Sequence, residues 1–375
     1  MKNIAIVVPT LNKGGGERVA ANLSLEFSKY FNVYVIVHDG NDVTYPYSGK
    51  KIDLKLPPAD SKIGKLKTMI KRTIMLKRIK KKYDIDYTIS HLPPSNYINI
   101  FSRTKGKIFT YVHSMENETK WNKIRMKLVA ALSDKVICVS ECVRQNVIKF
   151  GVSEKKAITI YNFCSSDFVE NFNFKKESDE IVIFNMGRLA KPKGQWHLIK
   201  AMSLVVQKHK NVSLQFIGDG ELKTYLEEIV DKFELKEHVK FIGFLEKPFE
   251  KLKEGDIYVS SSLWEGLPMA LVEAGMCGLP IISTDCDAGC REIIAPDTNI
   301  NKKTRNIEEA KYGILVPVCK EESEFITKEE QILADAIIKL IDDINIRYEY
   351  SKKARKGSEE FLPEKIMDYW FKILV

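Results

Sequence analysis

The chain has 375 residues, 44% hydrophobic and 29% charged, which excludes a disordered polymer and at this length calls for two cores of roughly 150–200 residues. No window approaches the ~18 consecutive apolar residues of a bilayer-spanning helix, and the apolar run at residues 4–8 stops at Pro9, too short for a secretion signal, so a cytoplasmic location is expected. The net charge is +9 but uneven: residues 1–150 hold 27 Lys and Arg against 12 Asp and Glu, and the remainder is mildly acidic, so a partner or surface specific to the basic half is expected.

In chain order, residues 3–8, 32–37, 85–90, 107–112 and 135–139 are short runs of Ile, Val, Tyr and Phe, interleaved with helical patterns such as 16–30 and 121–132. Strands alternating with helices predict a mainly parallel sheet covered on both faces. After Tyr161 the pattern dissolves into polar sequence, and it restarts at 181–187, 213–220, 239–244, 256–261 and 279–284. The expected fold class is therefore α/β with two Rossmann-like domains, 1–163 and 178–355, joined by a linker at 164–177. The terminal segment 356–375 reads as an amphipathic helix, expected to fold back over the first domain. Seven scattered cysteines form no CxxC pair, so reduced core thiols are expected, with a zinc site from the two C-x3-C pairs as the lesser alternative.

Ligands of open parallel sheets bind beyond the carboxyl ends of the strands, which directs attention to the loops there. The first strand ends in PTLNKGGGERVA, where Gly15 and Gly16 open a helix; either bare backbone approaches an anion, or this is a tight strand-to-helix turn. It is neither a Walker A loop nor a clean G-x-G-x-x-G. MGRLAKPKG places Gly187, Arg188 and Lys193 before a helix. Cations and a helix N-terminus at one strand end suit a diphosphate, and a solvated charge run is the alternative. FIGDGE supplies Gly218, for close approach or a plain turn.

WEGLPMALVEAG sets Glu265 and Glu273 eight residues apart around Gly266, Leu267 and Pro268. Pro268 suits a first helical turn, and Gly278 a stop. Glu273 would then lie ~7.5 Å deeper along the helix, at 1.5 Å per residue. There it could meet two ribose hydroxyls if a phosphate sat on the first amides, while Glu265 would face outward. A capped helix with a structural ion pair is the bland alternative for either glutamate alone.

Together GGGE, GRLxxxKG at 187–194, IGDGE at 217–221 and E-x7-E at 265–273 resemble the retaining glycosyltransferases of family 4, which have the GT-B fold, in the family's order and spacing. Segment 284–292, TDCDAGCRE, resembles a further family loop, with Asp287 and Cys290 where prolines are usual. The resemblance implies a nucleotide-sugar held mostly on the second of two Rossmann-like domains facing a cleft. Arg188 and Lys193 would neutralise the diphosphate, Glu273 would hold the ribose, Glu265 would bond donor-sugar hydroxyls, and Phe244 and Leu245 would contact the base. His113, after a first-domain strand, matches a family histidine near donor and acceptor; taken alone it would read as a structural histidine. No metal and no cofactor are expected, because Arg and Lys take the charge; residues 285–287 could form a DxD metal motif, but that belongs to the other transferase fold. UDP is favoured as the nucleotide.

Residues 62–82 contain ten Lys and Arg and no acid, with Ile63, Leu66, Ile70 and Ile74 at helical spacing. This reads either as a basic amphipathic helix on an anionic membrane surface, through Lys65, Lys71, Arg72, Lys77, Arg78, Lys80 and Lys81, or as a solvated helix packed on the sheet. Nucleic acid is not expected as a partner, since no recognition motif or stacking aromatics accompany the helix. The function expected is transfer of a hexose or N-acetylhexosamine to a lipid-linked saccharide in cell-surface glycan assembly. A nucleotide-sugar epimerase and a non-catalytic binding subunit are the alternatives.

Overall fold

The computed structural model describes residues 1–12, 14–41, 43–164, 180–320 and 323–374. Two compact units emerge, Met1–Asn162 with Ile366–Val375, and Phe163–Lys365. Apart from Cys164, the expected linker lies outside the described residues.

The first unit runs β1 (Asn3–Val8), α1 (Gly15–Phe27), β2 (Asn32–Val37), β3 (Lys50–Asp53), α2 (Lys62–Lys82), β4 (Tyr87–His91), α3 (Pro93–Phe101), β5 (Lys107–Val112), α4 (Lys120–Leu132), β6 (Lys135–Cys138), α5 (Glu141–Lys149) and β7 (Ala157–Thr159). Its seven strands lie parallel in the order β3-β2-β1-β4-β5-β6-β7. The central strands are buried on both faces, so they read as continuous apolar runs, as in IAIVV of β1.

The second unit runs β8 (Ile181–Met186), α6 (Gln195–Lys208), β9 (Val212–Ile217), α7 (Lys223–Lys232), β10 (Val239–Gly243), α8 (Phe249–Leu252), β11 (Ile257–Ser260), α9 (Met269–Met276), β12 (Ile281–Thr284), α10 (Cys290–Ile294), β13 (Glu308–Glu309), β14 (Ile314–Val316), α11 (Lys328–Asp342) and α12 (Ile344–Ser358). Its order, β10-β9-β8-β11-β12-β14-β13, repeats the doubly wound pattern, with only β13 antiparallel. Both sheets reverse winding beside their first strand, at β1/β4 and at β8/β11, and these switch points are where such sheets form ligand crevices. The expected two-domain α/β architecture is the one observed.

The last helix, α13 (Pro363–Leu374), belongs with the first unit from Ile366 onward. Trp370 is fully buried there, edge-on to Phe27 at 5.5 Å and tilted against Tyr111 at 5.9 Å, and the Tyr87 hydroxyl donates to the Leu374 carbonyl.

Helix α2 corrects part of the expected cationic surface. Arg72 is buried, its Nε 3.0 Å from the Leu56 carbonyl. Lys80 is also buried, its Nζ donating to Asn99 Oδ1 at 2.7 Å; burial lowers its pKa to about 7. Both lie on the helix face that sends Leu76 into the core, so neither can meet a membrane. Lys65, Lys71, Lys77, Arg78 and Lys81 are exposed. So are Ile63, Leu66, Ile70 and Ile74, each about half or more accessible, so this apolar stripe does not pack on the sheet.

Candidate active site

In the second unit the carboxyl ends of β8, β9 and β10 approach backbone to backbone because glycines end them. Gly218 N–H donates to the Gly243 carbonyl at 2.8 Å, and Gly187 N–H to Ile217 at 2.9 Å. A Cβ on Gly218 would fall 2.0 Å from the Gly187 carbonyl oxygen, so the FIGDGE glycine answers to strand packing as well as to open space. Phe244 is exposed and Leu245 half-buried immediately beyond β10.

After β8 the chain turns through a short 3-10 segment, Lys191–Lys193, into α6. Gly194 takes φ 56° at that junction, and a Cβ there would meet the Ser261 carbonyl at 2.5 Å. This fit locks the loop after β8 onto the loop after β11, and the Ser261 hydroxyl, donating to the Lys193 carbonyl at 3.0 Å, reinforces it. The consequence is chemical: Lys193 Nζ lies 2.6 Å from Glu265 Oε1, and Ser262 Oγ donates to the same oxygen at 2.7 Å. Burial disfavours the Lys193 ammonium, but the Glu265 carboxylate outweighs it, and the pKa lies above the ordinary lysine range. Glu265 thus faces Lys193, with 13% of its side chain accessible, where the sequence led us to expect it to face outward. Arg188 is exposed, and among the described residues its guanidinium has no ion pair.

Helix α9 starts at Met269 with Pro268 as its N-cap residue, one position outside the first turn that the sequence suggested. It closes by a Leu279 N–H to Ala274 carbonyl bond at 3.0 Å, with Gly278 at φ 73°. Glu273 is buried within it, and Gly266, Leu267 and Pro268 are buried ahead of it. The loop after β12 braces this entry. Glu265 N–H donates to the Asp287 carbonyl at 3.2 Å, and Gly289, at φ 76°, lies so close that a Cβ would meet Leu267 Cα at 2.9 Å. Asp285 is taken up by Arg291 at 2.6 Å, and Asp287 is exposed and paired with Lys303 at 3.1 Å.

In the first unit Gly15 stands open at the start of α1, and a Cβ on Gly16 would touch Leu92 at 3.0 Å. The Glu17 side chain folds over Gly14, within 2.2 Å of where a Cβ would be, and burial raises its carboxyl pKa. An anion on the first amides of α1 would therefore compete with this carboxylate. His113, just past β5, stacks on Tyr111 at 4.6 Å, and its Nε2 lies 3.0 Å from His91 Nδ1. Burial lowers the His113 pKa to about 3 and pushes His91 well down too. Both rings are neutral at pH 7, one donating and one accepting, which suits His113 for hydrogen bonding through its remaining nitrogen. A pocket of about 70 Å³ beside it is also lined by Tyr97, Asn122 and Arg125.

The structure thus gathers Gly187, Arg188, Lys193, Gly218, Phe244, Leu245, Glu265, Gly266, Leu267, Pro268 and Glu273 on the second unit, and Gly15, Gly16 and His113 on the first. The sequence reading missed Ser262, Gly289 and His91. The only local signal for Ser262 is a run of three serines closing an apolar strand, and nothing local pairs His91 with a residue 22 positions away.

The family model described as Glycosyl transferases group 1 matches residues 167–315, and Glycosyltransferase Family 4 matches 13–168. An uncharacterized glycosyltransferase of Methanocaldococcus jannaschii is 41% identical over 204 residues, 52% of this chain and 50% of that relative. The Campylobacter jejuni N-acetylgalactosamine-N,N'-diacetylbacillosaminyl-diphospho-undecaprenol 4-alpha-N-acetylgalactosaminyltransferase is 24% identical over 98% of this chain and 97% of its own. Anabaena HepE, solved in complex with UDP, superposes with a TM-score of 0.76 at 18% identity, covering 100% of this chain and 99% of that one. The chain belongs to the family 4 glycosyltransferases of GT-B fold.

Proposed function

We propose that this glycosyltransferase moves a hexose or N-acetylhexosamine from a UDP-sugar to a lipid-linked saccharide with retention of anomeric configuration. The observation that carries the reading is the Lys193–Glu265 pair at 2.6 Å, on the loops that lead into α6 and α9, with the exposed Arg188 on the same loop as Lys193. The diphosphate would meet Arg188, Lys193 and the first amides of α9. An ammonium has three donors, so Lys193 keeps Glu265 while reaching a phosphate oxygen. Breaking the anomeric C–O bond leaves positive charge on the sugar ring and negative charge on UDP. Lys193, held by Glu265, and Arg188 stabilise that charge where it develops, in the role a metal ion fills elsewhere. Glu265 holds donor-sugar hydroxyls, and Glu273 holds the ribose. The acceptor hydroxyl attacks from the face UDP leaves and passes its proton to the departing phosphate oxygen.

UDP and the lipid-linked acceptor are supported by the UDP bound to HepE and by the diphospho-undecaprenol named for the Campylobacter relative. No helix among the described residues is long and apolar enough to cross a membrane, and we place the enzyme on the inner membrane surface through α2. Thermal shifts with UDP-, GDP-, ADP- and dTDP-sugars, with and without EDTA, test the donor site. Ligands that bind the folded state raise the melting temperature by mass action, so stabilisation by UDP-sugars alone, undiminished by EDTA, is expected. No shift from any nucleotide would overturn the donor assignment, and a product of inverted anomeric configuration by NMR would overturn retention.

A further inference from the structure

Helix α4 repeats the design of α2. Trp121, Ile124 and Leu128 recur at helical spacing and are exposed, Trp121 at 74%. Lys120, Lys123, Arg125 and Lys127 surround them, and the helix contains no acid. The nearest acids in sequence, Glu118 and Asp134, lie outside it, two residues before its start and two after its end. Its opposite face is committed to the fold, with Val129 in a cluster with Ile100 and Ile108. Lone exposed apolar residues need no explanation, but a Trp-led stripe ringed by cations is unlike a solvated helix face.

Topology brings the two stripes together. The crossovers β3-α2-β4, β4-α3-β5 and β5-α4-β6 all advance in one direction across the sheet, so right-handed connections place α2, α3 and α4 on one face. Consistent with this, α3 packs against both α2 and α4. Helices spaced 8–10 Å set the stripes roughly 20 Å apart. Each helix runs back from the strands' carboxyl edge, and the exposed residues (63–74 in α2, 121–128 in α4) lie toward the helix starts. Both stripes therefore lie toward the ligand-binding edge of the unit, and α4 also lines, through Asn122 and Arg125, the pocket that contains His113.

We infer that α2 and α4 form one membrane-docking face for an anionic bilayer, with Trp121 inserted at the headgroup boundary. Charge complementarity selects this occupant: the stripes are apolar, their surroundings are cationic on both helices, and Trp suits the water–lipid boundary. The inference rests on the proposed use of a lipid-linked acceptor and extends it: a membrane-held substrate could reach the pocket without leaving the lipid surface.

The test is flotation of the full chain with vesicles of phosphatidylcholine, alone and with 30% phosphatidylglycerol. The wild type is expected to bind only the anionic vesicles, and less at high salt. A triple variant in α4 (Trp121→Ser, Ile124→Ser, Leu128→Ser) and one in α2 (Ile63→Ser, Leu66→Ser, Ile70→Ser) are each expected to bind at least ~10-fold more weakly. Neutralising Lys77, Arg78 and Lys81 with glutamine should lessen the salt-sensitive part, the other exposed cations of α2 and α4 carrying the rest. Anionic vesicles should also blue-shift tryptophan emission in the wild type and not in Trp121→Phe, a mild change that keeps the helix folded. Wild-type flotation of the α4 variant, or an unchanged blue shift in Trp121→Phe, would overturn the role of α4 while leaving α2. Equal binding to neutral vesicles, absence of wild-type binding, or a dimer held by these stripes in sedimentation would overturn the docking face altogether. UDP-sugar stabilisation of the same samples reports separately on the transferase reading.

Discussion

Replacing Lys193 with alanine separates chemistry from packing at the site. Its Nζ lies 2.6 Å from Glu265 Oε1, with 24% and 13% of the two side chains accessible. Exposed ion pairs contribute up to ~1 kcal/mol, and breaking fully buried ones costs ~3–5. This partly accessible pair, with Ser262 still donating to Glu265, falls between, at ~1–3 kcal/mol. For a unit of this size that lowers the melting temperature by roughly 3–10 °C. The catalytic loss should be larger: removing one donor from a charge-stabilising site costs about 10²–10³ in turnover, or ~3–4 kcal/mol. Lys193→Ala should therefore lower kcat by about two to three orders of magnitude with a smaller change in KM for the UDP-sugar, measured by UDP release. Adding Glu265→Gln removes the stranded carboxylate, so the double variant should recover thermal stability without recovering turnover. Wild-type turnover in Lys193→Ala, or turnover restored together with stability in the double variant, would refute the leaving-group role.

Glu273→Ala should weaken UDP binding by about 10–100-fold, the ~1.5–3 kcal/mol of hydrogen bonds to a charged group; unchanged affinity by calorimetry would remove its ribose role. His113 has its pKa lowered to about 3 by burial, so the unfolded chain, near 6.5, binds the proton first. That stability is fully present above ~6.5 and is lost as pH falls toward 3, by up to ~1.4 kcal/mol per pH unit. Melting curves between pH 7 and 5 should show this slope, and His113→Phe should lessen it, buried His91 and His38 carrying the remainder. Trp370→Ala should cost ~3–5 kcal/mol, since the ring is fully buried, and a melting temperature within 2 °C of wild type would show that α13 does not anchor the first unit.

Local sequence determined the strands and the glycine-marked loops. A strand covered on both faces must be a continuous apolar run, and five such runs then a polar break then five more fix two α/β units. What it left out were β3, β7, β13 and β14: KKID, AIT and EE carry too little apolar pattern to declare themselves, and the ILV of β14 is too short a run to stand out. The E-x7-E and GRLxxxKG motifs were legible as ligand loops. Their joining was not, because Lys193 and Glu265 lie 72 residues apart and meet only when β8 and β11 become neighbours in the sheet. The orientation of α2 was hidden for a related reason: it carries two apolar stripes, and periodicity alone could not say which one the sheet takes. Packing chose Leu76, drew Arg72 and Lys80 inward with it, and left Ile63, Leu66, Ile70 and Ile74 facing out. Periodicity reports that a helix has faces; only the surface it packs against decides which face is buried.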